Sequence, residues 1–262
     1  MNYACLHDKK EIESFLRKNV SLHLYSIGDL DNFFWPYTIW YGLRDNETIR
    51  AIALLYIGHS LPTLLALAND DEIDSMRELI TSIQHILPSR FYAHLSPGLE
   101  SALSDTHGLE NHGKHYKMAL LPQNLACEND STGISRLGKQ DLAAIQKLYD
   151  ESYPENWFDP RMLETRQFFG IMEGKRLASI AGIHVYSPQY KVAALGNITT
   201  HPELRNKGYG ARVTAALCQS LCEEGMHIGL NVKTGNDAAI SCYRKIGFEI
   251  IAEYNEFMII HS

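Results

Sequence analysis

The residues best suited to chemistry lie in one stretch, Asn197-Ile-Thr-Thr-His-Pro-Glu-Leu-Arg-Asn-Lys-Gly-Tyr-Gly210. An apolar run from Val192 to Ile198 leads into it, and a helix-forming run from Ala211 to Glu223 leads out. Strand, glycine-bearing loop and helix N-terminus in that order make an anion site. The first N–H groups of a helix have no intrahelical partner, and the helix dipole favours negative charge beside them. Gly208 and Gly210 permit backbone geometry closed to other residues and let a phosphate approach the main chain. Arg205 and Lys207 add positive charge. The pattern suits a diphosphate, so chemistry on a phosphorylated cofactor is expected. Two common phosphate loops do not fit. The string G-x-x-x-x-G-K-[ST] is absent, and Gly208-Tyr-Gly210-Ala-Arg-Val213 lacks the third glycine of G-x-G-x-x-G.

The order Arg205-x-x-Gly208-x-Gly210, after a strand and before a helix, resembles the acyl-CoA-binding motif of the GNAT N-acetyltransferase superfamily. Pro202 precedes Arg205 by three residues, where the family often has V-x-P-x-x-R. A second apolar strand, His227 to Lys233, follows the helix after Gly225. The next segment resembles the family's closing pattern N-x-x-A-x-x-x-Y-x-x-x-G-F, matched at Asn236, Ala239, Tyr243, Gly247 and Phe248. The resemblance covers about Ile134 to Ile260.

This resemblance implies acetyl-CoA as acyl-donor co-substrate and a primary amine, on a small molecule or peptide, as acceptor. Arg205, Asn206, Lys207, Gly208, Tyr209, Gly210 and Ala211 would present the diphosphate loop. Ile198, Thr199 and Thr200 would hold the pantetheine arm and the acyl carbonyl, or simply pair in the sheet. Asn236 would contact CoA, although plain helix capping explains it as well. Tyr243 would stand near the sulfur and give a proton or hydrogen bond to the leaving thiolate. The central strand Val192 to Thr200 carries no carboxylate, which leaves the general base open among Glu164, His184 and a chain of waters. The alternation Ala181 to Tyr186 does not decide which sheet face His184 takes. In the loop Tyr153 to Pro160, Tyr153, Trp157 and Phe158 could wall an acceptor pocket, with Glu155 meeting a cation. A loop folded on its own aromatics is the alternative.

The elements that must position these residues are expected to form a mixed α/β sheet with helices, the GNAT acyl-CoA N-acyltransferase fold, as two GNAT-like domains in tandem. Residues 1–122 read as a degenerate first domain, 123–133 as a polar, turn-rich linker, and 134–262 as the catalytic domain. The expected second-half order is a helix from Lys139 to Tyr149, a helix from Arg161 to Phe168 and a hairpin turning at Glu173-Gly-Lys175. The central strand, loop and helix follow, and then a helix from Asp237 to Lys245. Two final strands, Glu249 to Glu253 and Phe257 to Ile260, close the domain. In the first half, only Asn69-Asp-Asp-Glu72 stands between strand and helix. Those acids would repel a diphosphate, so one CoA site per chain is expected.

Composition narrows the classes. A chain of 262 residues, 45% hydrophobic, supports one or two packed domains. No apolar window reaches the roughly 18 residues of a membrane span. The N-terminus lacks the basic flank and apolar run of a secretory signal. The net charge of −7 falls in residues 1–130, and neither half has the basic excess of a nucleic-acid binder. Five scattered cysteines fit reduced thiols and a cytoplasmic location. Cys218 and Cys222, i,i+4 on one helix, read as small buried residues, so no metal is expected. The oligomeric state leaves no sign in the sequence. Two rival functions keep the motif but change the outcome: an acyl-CoA sensor without turnover, and a transferase for a longer acyl chain.

Overall fold

The computed structural model describes residues 2–125 and 132–261. Most of the expected linker, residues 126–131, lies outside the described residues. The chain divides into two compact units. One comprises Met1–Lys117 with Ile251–Ser262, the other Met118–Ile250. The expected 134–262 domain differs from this division at its end, because Ile251–Ser262, which hold most of the last strand, lie in the first unit.

In the first unit the elements run β1 (Asn2–Leu6), α1 (Lys9–Leu16), α2 (Leu24–Gly28), β2 (Thr38–Asp45), β3 (Thr48–Tyr56), β4 (Thr63–Ala66), α3 (Ile73–Ile83), β5 (Arg90–Leu95) and β6 (His107–Leu120, ending in the second unit). β1 to β4 pair antiparallel in sequence order, and β4 pairs parallel with β5. A parallel pair needs a crossover, which α3 supplies. Its Met76, Leu79, Ile80 and Ile83 recur at helical spacing and pack against Leu43, Ala53, Leu64 and Phe91 of the sheet.

The second unit repeats that plan with β7 (Ile134–Arg136), α4 (Leu142–Ser152), β8 (Phe169–Glu173), β9 (Arg176–Ser187), β10 (Val192–Thr200), α5 (Tyr209–Glu223), β11 (His227–Lys233) and α6 (Asp237–Ile246). β7 to β10 are antiparallel and β10 pairs parallel with β11 across α5. α5 turns Val213, Leu217, Cys218 and Leu221 inward, so its N-terminus is held at the end of β10. α6 stops at Gly247, whose φ of +118° suits glycine. A Cβ there would also lie 2.2 Å from the Asn124 carbonyl oxygen.

Two expected elements differ. The helix expected from Arg161 to Phe168 is a 3-10 stretch, Pro160–Thr165, ended by Arg166 in the left-handed region. The two expected final strands form one strand, β12 (Phe248–His261). The polar Tyr254-Asn255-Glu256 reads locally as a break. In the fold Asn255 and Glu256 register with Leu95 and His94 of β5. The Glu256 carboxylate accepts from the hydroxyls of Tyr92 (2.5 Å) and Tyr254 (2.9 Å), which offsets its desolvation.

Candidate active site

The site begins where a ladder stops. β10 and β11 pair from Val192 with His227 to Leu195 with Leu230. β10 nevertheless runs on to Thr200 and β11 to Lys233. Past Leu195 the strands part, leaving backbone groups on the β11 side of β10 without their ladder. Ile198, Thr199 and Thr200 lie on this free stretch.

Two bulges flank the parting. One separates the Ala194–Val185 and Leu195–Ile183 pairs and leaves His184 as the extra residue of β9. The other lies between Gly196 and Thr199 and holds Asn197 and Ile198. Bulges re-aim side chains, which is why alternation could not place His184. Its ring lies over Gly196, where a Cβ would come within 1.9 Å of it. Burial lowers the His184 pKa to about 4, so the imidazole is neutral at physiological pH. Gly196→Ala should destabilise by about 1–3 kcal/mol through overpacking. Adding His184→Ala should recover most of that loss, and a double-mutant cycle in urea checks the coupling.

The loop follows β10 directly. After a 3-10 turn, Pro202–Leu204, Asn206 and Gly208 take φ of +63° and +79°. Gly208 caps α5 without any side-chain bond, so the helix N-terminus stays open. Gly210 packs against Thr200, with 3.1 Å between an added Cβ and Oγ1. Arg205 Nε donates to the Thr200 carbonyl oxygen at 3.3 Å. Lys207, expected to add positive charge to the loop, is ion-paired. Its Nζ lies 3.0 Å from Glu173 at the end of β8, and Tyr209 donates its hydroxyl to the same carboxylate at 3.2 Å.

The corresponding place in the first unit is closed twice. Asn69 and Glu72 form a capping box ahead of α3, which satisfies that helix start internally. Ser96 continues the β4–β5 pairing, with its N–H on the Ala66 oxygen (3.1 Å) and its Oγ accepting from the Ala68 N–H (3.0 Å). There is neither an open helix end nor a parting of strands.

The remaining candidates divide. Tyr243 on α6 has its pKa raised, chiefly by burial and also by neighbours including Cys242 and Tyr153. The phenol therefore stays protonated, and the fold brings Tyr153 to it. Phe158 turns inward between Tyr149 of α4 (5.2 Å) and Phe168 (5.6 Å), so it packs on aromatics outside its own loop. Tyr153, Glu155 and Trp157 are exposed, Trp157 by 61%. Asn236 caps α6, its Oδ1 accepting from the Ala239 N–H at 3.2 Å. Glu164 is exposed and paired with Lys139 at 2.8 Å, which holds its carboxylate below the usual range, opposite to what a base needs. Glu164→Gln should leave turnover within about twofold and stability within about 1 kcal/mol. Steady-state rates and a thermal melt check both. Burial pushes up the thiols of Cys218, Cys222 and Cys242, so none is poised as a thiolate nucleophile. Among the described residues no three His, Cys, Asp or Glu side chains are grouped to hold a metal. No helix of the described residues is long and apolar enough to cross a membrane.

Sequence reasoning missed Tyr149, Gly196, Asn197 and Glu173. Only Asn197 left a signal, as a polar residue inside an apolar run.

The fold is similar to that of solved GNAT-type acetyltransferases, a tandem GNAT protein among them. The model of the FR47-like protein family matches residues 168–257. The chain is 27% identical over 184 residues to the uncharacterized N-acetyltransferase YobR of Bacillus subtilis (strain 168), covering 64% of this chain and 72% of that one. It resembles an acetyltransferase of the GNAT family from Colwellia psychrerythraea with a TM-score of 0.60 at 15% identity, over 99% of this chain and 100% of that one. A tandem GNAT protein from the clavulanic acid biosynthesis pathway matches with a TM-score of 0.55 at 13% identity, over 98% and 97% of the two chains.

Proposed function

We propose that this protein transfers an acetyl group from acetyl-CoA to a primary amine of a small molecule or peptide, by direct attack in a ternary complex. The observation that carries this reading is the parting of β10 and β11 directly beside an uncapped helix N-terminus. The open end of α5 suits a diphosphate, and the freed edge of β10 suits an amide-bearing arm added like a strand. The residues fit the donor. Gly208 and Gly210 clear the approach, and Arg205, Asn206, Lys207, Tyr209 and Ala211 frame it. Asn236 keeps its amide N–H group for CoA while its oxygen caps α6.

In this scheme a backbone N–H near Ile198 donates to the thioester oxygen as negative charge develops there. Tyr243, held protonated by burial, donates to the departing sulfur. His184 stands at the parting and Glu164 does not, so His184 is the better proton acceptor. A weak base serves if it acts late, after C–N bond formation has made the nitrogen acidic. Once the rate is corrected for the fraction of acceptor amine in its neutral form, it should show a further fall as pH drops through about 4, where His184 protonates, and not through the ordinary histidine range. Tyr153, Glu155 and Trp157 would meet the acceptor. The first unit acts as a degenerate GNAT-like domain without a CoA site. Cys5, Cys218, Cys222 and Cys242 are free thiols, which supports action in the cytoplasm.

The test is CoA release, read with a thiol reagent, across amines, polyamines, amino acids and peptides. Tight acetyl-CoA binding without release for any acceptor would favour the sensor without turnover, which the missing strand carboxylate motivates. A longer donor chain would appear by mass spectrometry as the ligand retained through purification.

A further inference from the structure

Asn197 is held in a costly state at the point where β10 leaves β11. Its φ of +54° is left-handed, uncommon for a residue other than glycine. It is 2% exposed, and its Nδ2 donates to the Ile183 carbonyl oxygen at 3.2 Å. That oxygen needs a donor, which fixes the orientation of the amide. Asn197 Oδ1 is then buried with no partner among the described residues. An unmet buried acceptor and a left-handed backbone in one residue are strain of the kind that clusters at working sites.

The neighbouring bonds share a direction. The Asn197 carbonyl oxygen accepts from the Tyr149 hydroxyl of α4 at 2.8 Å, a buried bond. Two residues on, Ser179 of β9 donates to the Thr199 carbonyl oxygen at 3.0 Å, and Thr199 Oγ1 bonds Ser152 of α4 at 3.2 Å. All of these tie the end of β10 to α4 or β9, and none ties it to β11. They begin two residues beyond the last β10–β11 pair, Leu195 with Leu230.

We infer that Tyr149 and Asn197 are positioning residues that hold β10 away from β11 and so keep open the slot for the pantetheine arm of the acyl donor. This rests on the acyl-CoA reading above. Without the two side chains, β10 is free to close toward β11 and the arm loses its edge. The diphosphate loop begins farther on, at Arg205, and is anchored separately through Glu173 and Thr200. The arm and the diphosphate should therefore respond differently.

Calorimetric titration with two probes separates them. Acetyl-CoA carries the arm, and adenosine 3′,5′-bisphosphate lacks it. Tyr149→Phe keeps the ring packed on Phe158 and removes only the hydroxyl. Asn197→Gly keeps the left-handed backbone and removes the amide. For each variant acetyl-CoA should bind about tenfold more weakly, the usual effect of losing one buried hydrogen bond, with the bisphosphate within about twofold of wild type. Thermal melts confirm folding. Equal weakening of both probes would mean general damage and would overturn the inference, as would unchanged acetyl-CoA affinity in both variants. Failure of the acyl-CoA reading itself shows earlier and separately, as wild-type protein that does not bind acetyl-CoA.

Discussion

Gly208→Val is expected to weaken acetyl-CoA binding by about 100-fold or more while the protein stays folded. The residue sits at φ +79°, ahead of an uncapped helix start. A β-branched side chain there costs about 1–2 kcal/mol or more and drives the backbone out of the left-handed region. That movement re-aims the first N–H groups of α5. Losing two charge-assisted bonds to a diphosphate, each worth about 1.5–3 kcal/mol, accounts for the factor. Folding should survive because an added Cβ at Gly208 meets nothing within 4 Å. Gly208→Asn makes the control. Asparagine tolerates the left-handed region, as Asn206 does at +63° two residues earlier. It should lose far less affinity than valine. Calorimetry with acetyl-CoA measures all three proteins, and wild-type affinity in the valine variant would remove the diphosphate from this loop.

Tyr243→Phe should cut kcat by about 10- to 100-fold and leave acetyl-CoA affinity within about twofold. A proton donor to the leaving group contributes at least that much in comparable chemistry. The packing of the ring on Phe248, 5.9 Å away between centroids, survives the change. Because burial raises the phenol pKa, wild-type activity should show no alkaline loss from this group where an ordinary tyrosine would ionise, at about pH 10. Single-turnover rates with saturating donor separate chemistry from binding. An unchanged kcat would reduce Tyr243 to a core residue of α6. No measurable chemistry in the wild type, with binding intact, would support the sensor.

Much of the candidate site was legible before the fold. The glycine loop with Gly208 and Gly210, Pro202 and the closing Asn236 to Phe248 pattern are local features, each tied to backbone geometry within a few residues. The poverty of Asn69 to Glu72 was legible for the same reason. What was not legible depended on partners distant in sequence. The ion pair of Lys207 could not be read from the loop because Glu173 lies 34 residues away. His184 and Glu164 looked equal as bases. A bulge in one strand and an ion pair with Lys139 give the two different surroundings, which the sequence does not show. β12 looked broken because one of the hydroxyls that satisfy Glu256, that of Tyr92, is contributed by tertiary pairing.

The sequence by itself determined that one loop suits an anion, that the loop opens a helix, and that only the second half has it. Short-range sterics and free N–H groups settle those points wherever the chain folds. Only the tertiary structure decided that β10 leaves β11 after Leu195, that Asn197 is buried there with an oxygen unmet among the described residues, and that most of the last strand lies in the first unit. Strand register and hydrogen-bond satisfaction are properties of pairs of segments, and no single segment encodes its partner.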